Sequence, residues 1–176
     1  MAKNCLNKLA SGIAVGCTFI PVGVKEIYLM HAEDVTFTYN APGVLKTAAF
    51  AGDAKAYKVE GYKQNIQVTA SLKTTDASAR VDQSVTFKVP YITNYSTQAF
   101  LNSVALGTFC VLVVFSDGDY TMLGATSPLE CSSVDFDSNA NARMVTITLA
   151  SPEGSAGNST VPVSPEARDL IISKSI

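Results

Sequence analysis

Phe109-Cys110-Val111-Leu112-Val113-Val114-Phe115 is a run of seven apolar residues, and its reading decides the fold. Bounded by turn residues, a run of this length reads as a strand covered on both faces. It stops at Ser116-Asp117-Gly118-Asp119, where Gly118 supplies a positive φ at little cost. Tyr120-Thr121-Met122-Leu123 then returns, so the two segments predict a hairpin. Gly124 to Pro128 punctuate the chain before a third strand at Leu129 to Phe136, and a fourth follows at Met144 to Ala150. In the fourth, Val145, Ile147 and Leu149 alternate with Thr146 and Thr148, the period of a strand with one covered face.

The same alternation extends upstream. Strands are predicted at Val24 to Met30, at Val35 to Tyr39 before the turn cluster Asn40-Ala41-Pro42-Gly43, and at Ala56 to Gly61. Residues 44 to 55 are Ala-rich and glycine-broken, compatible with a short strand, a loop or a helical turn. Along Asn65 to Leu72, Ile66, Val68, Ala70 and Leu72 share one face while Gln67, Thr69 and Ser71 share the other. Thr74 to Arg80 is polar enough for a connecting loop, so no long hairpin is read here. Val85, Phe87 and Val89 alternate up to Pro90, which lacks the amide donor a ladder needs. A single helix is predicted, capped by Ser96 or Thr97, striped by Phe100, Leu101 and Val104, and closed by Gly107 at C′.

These elements predict a mainly β protein: a single antiparallel β-sandwich or barrel over residues 23–151, with one short helix. Its expected core is Ile66, Val68, Val85, Phe87, Val111, Val113, Val145, Ile147 and Leu149. Extended arms are expected on either side, an N-terminal one over 1–22 and a C-terminal one over 152–176. The second opens on the linker-like Pro152-Glu153-Gly154-Ser155-Ala156-Gly157-Asn158-Ser159-Thr160 and carries only the short apolar tag Leu170-Ile171-Ile172. Lacking a fold-forming pattern, both arms are expected to contact neighbouring subunits more than their own core.

Composition points to association. Of the 176 residues only 16% are charged, against about 25% in an average soluble domain. A surface poor in charge is suited to being covered by neighbours. The net charge of −2 opposes a nucleic-acid-binding face, which should be basic. No run of 18 apolar residues is present to span a membrane. The four cysteines, Cys5, Cys17, Cys110 and Cys131, could form two disulfides in a secreted domain, but Cys110 lies within the buried strand, and reduced thiols are expected. Lys3 and Lys8 before Leu9 to Val15, then Gly16-Cys17, look like a short lipoprotein-type signal peptide. The stretch is broken by Ser11 and Gly12, however, and Ala14 stands where Leu is usual. With Met1 in place, the segment is expected to be retained.

Chemistry-bearing motifs are sparse. The one histidine, His31, ends a strand without a G-x-S-x-G elbow or other nucleophile motif. Asp135, Asp137, Asn139 and Asn141 alternate like calcium ligands, but Ala140 replaces the expected Gly and Thr146 the expected Glu. A polar hairpin loop is the expectation there. The glycosylation triplets at Asn94 and Asn158 carry meaning only after secretion. No enzymatic activity, cofactor or metal is expected.

The succession Tyr57-Lys58-Val59-Glu60-Gly61-Tyr62, the alternating strand Asn65 to Leu72 and above all Val113-Val114-Phe115-Ser116-Asp117-Gly118-Asp119-Tyr120-Thr121-Met122-Leu123-Gly124 resemble tailed-phage virion proteins of the neck and tail. The opening Cys5-Leu6-Asn7-Lys8-Leu9, followed by Gly12-Ile13, is similar to openings in phages of gut Bacteroidetes, the crAss-like phages among them. The resemblance implies a β-sandwich or barrel subunit of a homo-oligomeric ring, assembled in the host cytoplasm into the virion. Such a ring touches other neck and tail proteins and lets genome DNA pass without specific binding. Asp76, Asp117, Asp119, Asp135 and Asp137 are expected nearer that channel than Lys58, Lys63, Lys73 and Arg80. An exported adhesin or fimbria-like module is the main alternative, though it needs a cleaved leader; a capsid-decorating head protein is another.

Overall fold

The computed structural model describes residues 23–40, 43–60, 65–75, 78–90, 95–136, 144–155 and 160–176. The N-terminal arm over 1–22 lies outside them. Along the chain run β1 (Val24–His31), β2 (Val35–Asn40), β3 (Val44–Phe50), β4 (Tyr57–Glu60), β5 (Gln67–Thr75) and β6 (Ser78–Pro90). Then come α1 (Tyr95–Leu106), β7 (Thr108–Phe115), β8 (Tyr120–Leu123), β9 (Leu129–Phe136), β10 (Met144–Ala150), β11 (Val161–Pro162) and α2 (Pro165–Ser173). The protein is mainly β and antiparallel, and its large sheet does not close into a barrel.

β7 organises everything else. One of its edges carries β1, paired from Phe109–His31 to Phe115–Val24, and β1 in turn carries β4. The other edge carries β8 over residues 111–114 and then, at Thr108 and Phe109, the start of β9. There the chain turns a corner, because β9 leaves β7 after two pairs and continues the order β9-β10-β6-β5. Two half-sheets thus face each other across one core. Ile27 and Leu29 of β1 and Phe109, Val111 and Val113 of β7 meet Val85 and Phe87 of β6 and Val145, Ile147 and Leu149 of β10. Leu101 and Val104 of α1 pack into the same core. Every residue of the expected core is in place, Val68 only partly buried.

The even-numbered residues of β7 explain why its apolar run is unbroken. Cys110, Leu112 and Val114 point away from the first core into a second, shared with Tyr28, Met30 and Met122. A strand between two apolar layers alternates between two interiors rather than between interior and water. The second layer is the β2–β3 hairpin, with Val35, Leu45 and Ala48, together with Val161, Val163, Ala167 and Ile171.

That last set corrects the expected C-terminal arm. Residues 160–176 are folded onto their own domain: β11 pairs with β8, Val163 bridges to Leu45, and α2 buries Ala167 and Ile171. Residues 174–176 run beside β4, where Ala56 N–H donates to the Lys174 oxygen at 3.2 Å and Lys58 N–H to the Ile176 oxygen at 3.1 Å. Each residue group contributes few apolar side chains, but β7 leaves a whole face that needs covering. The helix was readable: Ser164 accepts a hydrogen bond from the Ala167 N–H at 3.2 Å, Pro165 follows it, and Glu166 sits in the first turn. α2 makes a second helix beyond the single one expected.

Two further expectations change. Thr74 to Arg80 is not a connecting loop, because β5 and β6 pair without a bulge as far as Thr75 with Ser78. Lys73, Thr74 and Arg80 are exposed there, and a polar, solvated stretch of this kind looks like a loop in sequence. α1 begins at Tyr95, one or two residues before the expected caps. Gly107 is required by space rather than by positive φ: a Cβ there would lie 2.7 Å from the Phe109 ring.

Gly124 meets both demands at the corner between β8 and β9. Its φ is +73, and a Cβ would stand 2.7 Å from the Phe109 carbonyl oxygen. Its N–H donates to Gln83 Oε1 at 2.9 Å, tying β6 to the corner through a side chain that is itself buried. Gly124→Ala should therefore lower stability by about 1–3 kcal/mol, read as a shifted denaturation midpoint with an unchanged m value.

Candidate functional site

His31 ends β1 beside the N-terminal half of β7 and below α1. Its ring lies 4.7 Å from that of Phe109, tilted by 41°, and 6.1 Å from that of Tyr57, edge-on at 89°. Leu29, Tyr57, Phe100 and Val104 complete an apolar cleft of about 220 Å³ between strand and helix. On its other side His31 borders a second cleft with Glu33, Asp34 and Thr108. The imidazole is held by ring packing against Phe109 and Tyr57. No group of three metal-ligating side chains occurs among the described residues. Of the calcium-like series only Asp135 is described, exposed on β9; residues 137–143, like Asn94 and Asn158, lie outside.

Charges gather at one place on the β1–β4 pair. Lys58 Nζ lies 3.1 Å from Glu26 Oε2 and 2.8 Å from Glu60 Oε1, and Tyr28 Oη donates to Glu26 Oε1 at 3.0 Å. Glu26 is buried, so its two partners satisfy a carboxylate that would otherwise be costly there. The hydrogen bond to Glu60, then that to Glu26, pushes the Lys58 ammonium pKa up. Burial, followed by the bond to Glu26, pushes Tyr28 up as well. This cluster pins β4 to β1 next to residues 174–176.

Cys110 and Cys131 carry free thiols, while Cys5 and Cys17 lie outside the described residues. Cys110 donates weakly to the Gly124 oxygen at 3.3 Å, and burial pushes its pKa from 9.0 up to about 12. Between those values the folded state holds a proton that the unfolded state has lost. Stability from this group is therefore complete below about pH 9 and falls as pH rises toward about 12. Denaturation midpoints at pH 8 and pH 10.5 should differ less in Cys110→Ala than in the unsubstituted protein; equal drops would remove Cys110 as the cause.

The acidic and basic residues expected at a channel are spread over separate elements. Asp117 and Asp119 are exposed in the β7–β8 turn, where Asp119 N–H donates to Asp117 Oδ1 at 3.1 Å. Asp135 stands on β9, and Asp76, Asp137 and Lys63 are outside the described residues. Lys58 is held by two carboxylates, Lys73 lies 2.5 Å from Asp82, and Arg80 is exposed. Among the described residues, neither set is gathered on a single element.

The feature missed in sequence is an edge. β5 offers nine residues that pair with β6 on one side and with nothing on the other among the described residues. Proline, a bulge or several lysines would normally blunt such an edge. β5 has no proline, no register shift and one lysine, and its Leu72 is 57% exposed. Behind it, the outer face of β6 and β10 is lined with hydroxyls, Thr86 and Thr148 being 3.3 Å apart. No family model, no curated protein and no solved structure matches this chain.

Proposed function

We propose that this protein is a non-enzymatic structural subunit of a tailed-phage virion, one member of a homo-oligomeric ring in the neck or tail. The observation that carries the reading is the long unblunted edge of β5 on a protein with few charges. An isolated monomer with such an edge is prone to pair with other chains, whereas a ring covers it. The likeness of Val113 to Gly124 to phage neck and tail proteins gives the assembly its setting. Passage of DNA through the ring calls for a lumen that does not neutralise phosphates, since each neutralised phosphate adds salt-dependent affinity. The net charge of −2, with Lys58 and Lys73 already paired to carboxylates, suits that requirement. Exposed Asp117, Asp119 and Asp135 then lie nearer the channel or rim than the cations.

Light scattering on the purified protein, with negative-stain imaging of the same fractions, tests the reading. A discrete closed oligomer with a central opening is expected, with no salt-dependent retention of duplex DNA. A monomer throughout the micromolar range would overturn it, and a ring that grips DNA through Lys73 and Arg80 would overturn the channel assignment.

A further inference from the structure

A closed ring of identical chains needs two different, complementary surfaces on each copy. Besides β5, one other regular edge lacks a backbone partner among the described residues: that of β2, whose six residues pair only with β3. The remaining edges are occupied or blunted. β4 is flanked by residues 174–176, β3 is bridged to Val163, β11 has only two residues, one of them Pro162, and β9 is bulged and packs beside α1.

Building on the ring reading above, we propose that β5 of one copy adds antiparallel to β2 of the next, with Leu72 facing Val35. Residue types match along the whole ladder in this register. On one face Val35 meets Leu72, Phe37 meets Ala70 and Tyr39 meets Val68. On the other, Thr36 meets Ser71, Thr38 meets Thr69 and Asn40 meets Gln67. Directly opposed apolar and hydroxyl pairs are the stabilising unit of a sheet. Val35 is buried and Phe37 partly buried in the second core, so Leu72, half exposed in the single chain, would extend that apolar layer.

Charge sets the direction, and the matching of apolar and hydroxyl positions sets the register. Glu33 and Asp34 precede β2 and Lys73 lies near the end of β5, so antiparallel pairing brings Lys73, which its own chain's Asp82 already contacts, to Asp34 as a second carboxylate. Parallel pairing would send it to the far end, beside Asn40. A slip of two residues one way puts Thr74 against Val35, and the other way leaves Leu72 against Glu33. A slip of one would turn Leu72 onto the hydroxyl face. Because β2 and β5 are different edges, the contact runs head to tail and closes a ring when the rotation allows.

Thr36→Cys and Ser71→Cys proteins, made separately, mixed and oxidised, test the register, since both positions are exposed. Directly opposed cysteines fall within disulfide reach, whereas a pairing two residues off does not. The mixture should yield cross-linked dimer about tenfold above either protein alone and above the off-register mixture of Thr36→Cys with Thr69→Cys. Leu72→Lys should keep the melting temperature of the monomeric fold yet abolish assembly at concentrations where the unsubstituted protein is fully assembled. If the unsubstituted protein assembles but the opposed pair cross-links no better than the off-register pair, the β2–β5 contact is wrong and the ring reading stands. Cross-linking of Ser71→Cys with itself would replace the contact by a two-fold β5–β5 pairing. A protein that stays monomeric overturns contact and ring together.

Discussion

Val113→Asp should abolish the fold under conditions where the unsubstituted protein is fully folded. Val113 is 0% exposed, sits in the middle of β7, and pairs with Ile27 on one side and Thr121 on the other. Its side chain points into the core shared by the two half-sheets, where Val85, Ile147 and Leu149 offer no donor for a carboxylate. A charge there must be neutralised or must drag water into the core. The cost exceeds about 4 kcal/mol, a drop in melting temperature of at least about 10 °C for a chain of this size. Circular dichroism melts decide the matter. A variant that melts with the unsubstituted protein would show that β7 is not the central strand.

Removal of residues 161–176 should be nearly as damaging, and for a reason opposite to that of a loose arm. Val161, Val163, Ala167 and Ile171 cover the side of β7 that presents Cys110, Leu112 and Val114. Without them that face meets water, and β4 loses the backbone hydrogen bonds from residues 174–176. Ile171→Ala isolates the packing part: a fully buried isoleucine truncated to alanine costs about 2–5 kcal/mol. The truncated protein should show a broadened, lowered melt and bind a dye for exposed apolar surface. An unaltered melt, with only assembly impaired, would restore the segment to the status of an interface arm.

What the chain determined by itself was the local periodicity. The seven apolar residues of β7, the Asp-Gly turn after them and the Val145–Ile147–Leu149 alternation need only nearest-neighbour geometry, and each lies where that geometry puts it. The core list followed from the same signal. The tertiary structure decided which side of β7 each residue serves, because an unbroken apolar run carries no phase. It also made one element of the β5–β6 ribbon, whose polar residues beyond the core read as loop until two segments are seen to pair. The second core had no visible pattern. Tyr28, Leu45, Met122, Val161 and Ile171 come from separate segments, and long-range burial, unlike turn chemistry or strand period, leaves no local trace in sequence.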